Sequence, residues 1–272
     1  MTAMRIRIHH QTHYRYVERP SYLVQRLHLT PMNFDAQKTI HWKISTAGID
    51  TALSYVDGFG NRIHLVTAHN LELENTITAE GEVETTNVSG LVRGLISSVP
   101  DNVFLRQTAL TMPDAAMRSA LKKWSIQTNS LESAHALMQH LHERIAYEVG
   151  TSQADTTAAE AFARGRGVCQ DHSHLMVGMA RALGMPARYV TGYLVTGTGA
   201  SSVAAHAWAE ILINDLGWVG FDAANDQCPT EYYVRVAAGL DAVAVAPVKG
   251  SRRGGATEEH MTVEVRVEIA QQ

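Results

Sequence analysis

A thiol capable of nucleophilic chemistry stands in Gly165-Arg166-Gly167-Val168-Cys169-Gln170-Asp171-His172-Ser173-His174, which runs without a break into the apolar stretch 175–183. Counted from Cys169, positions 172, 176, 179 and 183 share one helical face with 175 and 180 beside them, so the spacing predicts a buried helix beginning at the cysteine. Gly184 and Pro186 end it. A thiol at that end meets unpaired backbone N–H groups and the positive end of the helix dipole, both of which favour the thiolate. Such surroundings lower a cysteine pKa from about 8.5 into the range of roughly 3.5 to 7.5. The glycines ahead of Cys169 are expected to let backbone approach closely where a substrate binds. The plainer reading makes Cys169 one more small apolar residue of a core helix.

Two downstream stretches favour the nucleophile. His206 lies in Ala204-Ala205-His206-Ala207-Trp208-Ala209-Glu210-Ile211-Leu212-Ile213, and Asp222 ends Gly217-Trp218-Val219-Gly220-Phe221-Asp222. Between them Asn214-Asp215-Leu216-Gly217 reads as the turn of an antiparallel hairpin. Folding the chain there brings Asp222 to within a residue or two of register with His206, as cross-strand neighbours. A thiol with an imidazole base, itself oriented by a carboxylate, is the arrangement that covalent acyl transfer requires. The Cys169 N–H would meet the oxyanion, and Tyr147 and Gln153 are the candidates for a second donor. A competing reading takes Cys169, His172 and His174 as metal ligands, but on a helix 172 and 174 point to different faces.

These residues also carry a resemblance. Gly167-Val168-Cys169-Gln170-Asp171-x-x-His174, Tyr189-x-x-Gly192-Tyr193, His206-Ala207-Trp208-x-Glu210 and Gly217-Trp218-x-Gly220-Phe221-Asp222 together resemble the core of the bacterial transglutaminase-like superfamily. Upstream, Leu27-His28-Leu29-Thr30-Pro31, Asp57-Gly58-Phe59-Gly60-Asn61 and Glu82-Val83-Glu84-Thr85 are similar to the β domain that precedes this core. The resemblance implies a Cys-His-Asp triad on a papain-like scaffold, with Cys169 as nucleophile, His206 as general base and Asp222 as its orienting carboxylate. It implies no cofactor and no metal. The activity it implies is acyl transfer on amide bonds, with peptide hydrolysis by a cysteine protease ahead of isopeptide formation by a true transglutaminase. A non-catalytic peptide-binding module of the same fold is the alternative of another class.

Composition bounds these readings. The 272 residues carry a net charge of −4, and no basic cluster exceeds Arg252-Arg253, which argues against a nucleic-acid partner. Neither a leader-like apolar region in residues 1–10 nor a run near the ~18 apolar residues of a membrane span is found, so the expected setting is cytoplasmic, with no membrane partner. Two cysteines, Cys169 and Cys228, do not make a disulfide framework. Cys228 reads as incidental, with a regulatory bond to Cys169 as the other option. The expected partner is a peptide or protein substrate, and self-association into a homo-oligomer is left open.

The elements that must position these groups follow an α+β order. Period-two runs at 5–8, 22–29, 39–44, 63–66, 71–74 and 81–85 predict an N-terminal antiparallel β-sandwich over residues 1–88. His9, His10 and His13 fall on its strand faces and match no common zinc spacing. Residues 89–272 are expected to form the transglutaminase-like core with a C-terminal strand, helices packed on an antiparallel sheet. Residues 87–112 read as a connector, followed by helices at 113–124 and 131–145 and a capping-box helix at 158–164. Strands are expected at 187–195 and 231–237, with a Gly/Ser/Thr loop at 196–202 as a lid or a plain loop. A Gly/Arg loop at 248–257 precedes the alternating run 261–269, a strand that closes the core sheet or returns to the N-terminal domain.

Overall fold

The computed structural model describes residues 3–122, 130–196, 205–255 and 259–270. Its first six strands are β1 (Met4–Tyr16), β2 (Tyr22–Thr30), β3 (Gln37–Ser45), β4 (Leu53–Val56), β5 (Arg62–His69) and β6 (Glu74–Thr85). Alternation drives them: along β1 the side chains of Ile6, Ile8, His10, Thr12, Tyr14 and Tyr16 are buried while Arg5, Arg7 and Arg15 face water. Of the expected strand at 71–74 only Glu74 is in a strand, the first residue of β6, and 71–73 are irregular, with Asn70 at a positive φ of 50° and the Leu71 N–H bonding Pro20 O. β4 carries little alternation of burial and was not anticipated.

The connector contributes β7 (Leu91–Val92), which pairs with a strand of the core sheet. Next come α1 (Ala115–Leu121), α2 (Leu131–Arg144), β8 (Ala146–Tyr147), α3 (Ala158–Arg164), β9 (Arg166–Gly167) and α4 (Cys169–Ala182). Asp114 caps α1 through the Met117 N–H, and the end of the expected helix at Trp124 lies outside the described residues. The core strands are β10 (Ala187–Leu194), β11 (Ala205–Ile213), β12 (Gly217–Phe221) and β13 (Tyr233–Gly239), in the sheet order β13-β10-β11-β12-β7. β14 (Val248–Arg253) and β15 (Glu259–Ile269) end the chain. Residues 248–253 are therefore a strand, not the expected loop: the backbone of β14 completes a ladder with β2, and Val248 packs against the sandwich core.

β14 and β15 both return to the N-terminal unit, whose two sheets run β15-β1-β6-β3 and β14-β2-β5-β4. The sandwich thus draws on both ends of the chain. It docks on β13, the edge strand of the core sheet, and two side-chain amides satisfy that edge. Gln37 donates to Arg235 O at 2.8 Å and accepts from the Arg235 N–H at 2.7 Å. Asn61 does the same at Ala238, with both bonds at 2.8 Å. An amide mimics the donor–acceptor pair of a missing strand, so the edge is covered without a further strand.

α4 is the axis of the core. Its residues from Asp171 to Arg181 are buried on every side, because β10 and β11 cover one face and α2, α3 and the connector cover the others. Gly178 is required there, since a Cβ would sit 2.1 Å from Thr111 O. Behind the sheet, Glu210 of β11 is buried between Arg188 of β10 at 2.5 Å and Arg235 of β13 at 2.8 Å. The Arg188 guanidinium also lies 4.0 Å from the centroid of the Trp218 ring. Removing one member of such a buried group strands charges in low dielectric. Glu210→Gln is expected to cost about 3–5 kcal/mol of stability, measured by chemical denaturation. An unchanged midpoint would show that this ion group does not hold the three strands.

Candidate active site

The chain reaches Cys169 through a set of local devices. α3 opens with a capping box in which Thr157 and Glu160 satisfy each other's backbone N–H groups, and it ends at Gly165 with a φ of 71°. β9 then pairs in parallel with β8, setting Tyr147 beside Gly167. Asp171 caps α4 by accepting from the Val168 N–H at 2.7 Å and from the Ser152 hydroxyl. A Cβ at Gly167 would fall 2.6 Å from the Asp171 carboxylate. The glycine therefore makes room for this cap.

β11 and β12 form the expected hairpin, with Asp215 and Gly217 at positive φ in the turn. The register pairs Ala209 with Phe221, so Asp222 follows opposite Trp208, two residues from His206 on the same face. The His206 Nε2 lies 2.6 Å from Asp222 Oδ2, and His206 and Cys169 line the same cleft, close enough for Cys169 to raise the His206 pKa. Cys169, His206 and Asp222 are thus brought together, with imidazole between sulfur and carboxylate.

Asp222 is pinned from several directions. Its Oδ2 also accepts from the Tyr233 hydroxyl at 2.8 Å and Asn225 Nδ2 at 2.7 Å, and its Oδ1 accepts from the Ala224 N–H at 3.0 Å. Burial alone would raise the Asp222 pKa, but the bonds from His206, Asn225 and Tyr233 hold it below the usual carboxylate value. Burial would lower that of His206, yet Asp222 and Cys169 override it and raise it from 6.5 to about 10. Asn225 and Tyr233 were not anticipated. Asn225, three residues past Asp222 where an Asx side chain turns back on its own loop, offered a faint signal.

Tyr147 lies near the nucleophile. Burial raises its pKa, and the nearby charges of Cys169 and Asp222 raise it further. Its ring lies 6.1 Å from that of His172, whose Nδ1 and Nε2 face Val168 O and Ile145 O at 2.9 and 3.1 Å. His172 thereby ties the end of α2 to the start of α4, on either side of the Tyr147 strand. Gln153, the other candidate donor, is exposed and, like Tyr147, outside the cleft lining.

The metal reading finds no support in these positions. His174 is buried and accepts from the Ala242 N–H at 3.1 Å, while His172 faces the two carbonyl oxygens, so neither ring turns to Cys169. Among the described residues no group of three or more metal-binding side chains occurs. Of the N-terminal histidines, His10 bonds the Tyr193 hydroxyl at 2.9 Å, His9 faces Glu80 and His13 faces Thr76. Cys169 and Cys228 are both free thiols, and burial raises the Cys228 pKa to about 11. The expected lid at 196–202 lies, beyond Thr196, outside the described residues.

A group whose pKa rises on folding stabilises the fold below its unfolded value and loses that contribution as pH climbs through the folded one. For His206 the window runs from 6.5 to about 10. In Asp222→Asn the carboxylate that raises the value is gone and burial, which lowers it, remains. The His206 titration followed by NMR should then fall by more than about one unit. A titration still near that of the wild type would assign the shift to another group.

Residues 120–223 match the transglutaminase-like superfamily, and residues 6–84 match the bacterial transglutaminase-like N-terminal region. An uncharacterized protein of Mycobacterium leprae is 29% identical over 279 residues, spanning 96% of this chain and 98% of its own. Another, from Mycobacterium tuberculosis, is 28% identical and spans 90% of this chain and 87% of its own. Among solved structures, a candidate cysteine protease from Cytophaga hutchinsonii superposes with a TM-score of 0.73 at 19% identity, covering 99% of both chains. No helix among the described residues is long and apolar enough to cross a membrane. With these two matches in this order, residues 120–223 form a transglutaminase-like core behind a bacterial transglutaminase-like N-terminal β region, and the chain shares its fold with the Cytophaga hutchinsonii protein along its whole length.

Proposed function

We propose that this protein is a thiol enzyme that cleaves amide bonds through an acyl-enzyme, with Cys169 as nucleophile, His206 as acid–base and Asp222 as the orienting carboxylate. The observation that carries the reading is the His206 ring, which lines one cleft with Cys169 and lies 2.6 Å from the Asp222 carboxylate. The thiolate adds to the amide carbonyl, forming an S–C bond and an oxyanion. His206 delivers its proton to the amine as the C–N bond breaks, leaving a thioester. Water, losing a proton to His206, then attacks the thioester, and the acid and free thiolate leave.

Asp222 stabilises the imidazolium and keeps the ring turned toward sulfur, as the carboxylate does in triads of this kind. The Cys169 N–H, at the first position of α4, is one oxyanion donor. Tyr147, near enough to Cys169 for the two to interact, is the second, and its hydroxyl would donate to the arriving carbonyl oxygen. Tyr147 is more than half exposed and Cys169 partly so, which favours water over an amine as acceptor. A pure binding module would have no use for a buried carboxylate held by four donors.

The test is incubation with a peptide mixture, with acyl adducts on Cys169 and new peptide termini read by mass spectrometry. Cys169→Ala and His206→Ala should abolish turnover while leaving circular dichroism unchanged. Wild-type turnover by Cys169→Ala would end the proposal, and isopeptide products in place of new termini would redirect it to amine transfer. Tyr147→Phe should lower kcat by about 10²-fold with KM little changed, the loss expected for one oxyanion donor. A change confined to KM would remove Tyr147 from that role.

A further inference from the structure

Cys169 and His206 open onto a cleft of about 360 Å³. One wall consists of the segment between β13 and β14, which contributes Ala242, Val243, Val245, Ala246 and Pro247 to the lining. This segment belongs to no strand or helix, yet it is tied on both sides. From the core, Arg181 Nη2 donates to Leu240 O at 2.9 Å and His174 Nε2 accepts from the Ala242 N–H at 3.1 Å. Burial lowers the His174 pKa to about 4, so the ring stays neutral and able to accept at neutral pH. From the sandwich, Arg26 Nη2 donates to Ala244 O at 3.3 Å, the His28 ring lies 3.2 Å from Ala246 O, and the His28 N–H bonds Pro247 O at 2.9 Å.

The rest of the described lining is equally uncharged apart from the reacting pair: Ala154, Val168, Gln170, Tyr189, Thr191, Ala205 and Ala207. The cations that touch the wall, Arg181, Arg26 and Lys249, donate to the carbonyl oxygens of Leu240, Ala244 and Val243. Asp241, the one charged residue of the wall segment, is outside the lining and accepts from the Ala244 N–H at 2.8 Å, so a charged side chain entering the cleft would lose water with no charge of the lining beyond the reacting pair to meet it. An apolar one gains about 25 cal/mol for each Å² removed from water. Val243, 45% exposed, offers apolar surface at the rim.

We propose that residues 240–247 form the specificity wall of the cleft, selecting acyl donors whose side chain beside the attacked carbonyl is uncharged and apolar. The N-terminal sandwich then takes part in donor selection, because His28 and Arg26 hold the wall. This deepens the amide-cleaving reading and rests on it. It also gives the β region a task at the site, which the triad alone does not require.

The experiment uses the full chain and four peptidyl fluoromethyl ketones alike except for Leu, Gln, Glu or Lys beside the ketone. Each alkylates Cys169 by forming an S–C bond as the C–F bond breaks and fluoride leaves, read by intact mass. Iodoacetamide, which carries no side chain, reports the thiol itself. The Leu probe should react at least about tenfold faster than the Glu and Lys probes. Val243→Glu should raise the Lys probe relative to the Leu probe by about tenfold, and His28→Ala should slow the Leu probe, both with the iodoacetamide rate unchanged. Fast iodoacetamide labelling with four similar probe rates, or a ranking unmoved by Val243→Glu, would overturn the wall and leave the thiol enzyme standing. Slow labelling by iodoacetamide and by every probe would overturn both.

Discussion

A carboxylate with almost no access to water survives in this fold because four donors surround it. His206 comes from β11, Tyr233 from β13, and Asn225 with the Ala224 N–H from the turn after β12. Left unpaired, a buried charge of this kind would protonate or destabilise the fold. Keeping Asp222 ionised therefore demands that β11, β12 and β13 hold their register. The same demand keeps the imidazole charged and turned to Cys169. The neighbouring Arg188–Glu210–Arg235 group fixes β10, β11 and β13 from behind, so two buried polar clusters constrain one sheet.

The sandwich and the core meet at β13. Its outer edge is closed by Gln37 and Asn61, both from the N-terminal region, in place of a neighbouring strand. The chain leaves this strand through residues 240–247 and re-enters the sandwich as β14 and β15. Cleft wall, edge strand and sandwich are consecutive along the polymer. Movement of the sandwich relative to the core would therefore pull on the wall that faces Cys169.

Tyr147 illustrates how short elements do positioning work. A two-residue parallel pair is weak by itself, but it lies between Ile145, whose carbonyl faces His172, and the Asp171-capped start of α4. The tyrosine stays near Cys169 because both ends of that pair are fixed to the same helix terminus. The ring remains more than half exposed, so a substrate can meet it without a rearrangement of the core.

Much was legible in the sequence because it is encoded locally. Period-two burial marked β1, β2, β3 and β5, the Thr157–Glu160 spacing marked the cap of α3, and Asn214–Gly217 marked the hairpin that carries His206 and Asp222 into register. The cysteine at a helix start was readable because the glycines and the apolar run are adjacent to it in the chain. What no local pattern encodes is where distant segments pair. That β14 and β15 return to the sandwich, that Gln37 and Asn61 serve as surrogate strand, that Glu210 unites two arginines, and that Tyr233 reaches Asp222 are decided by long-range backbone pairing and by the need to satisfy buried polar groups. Such needs exist only once the chain has folded around them.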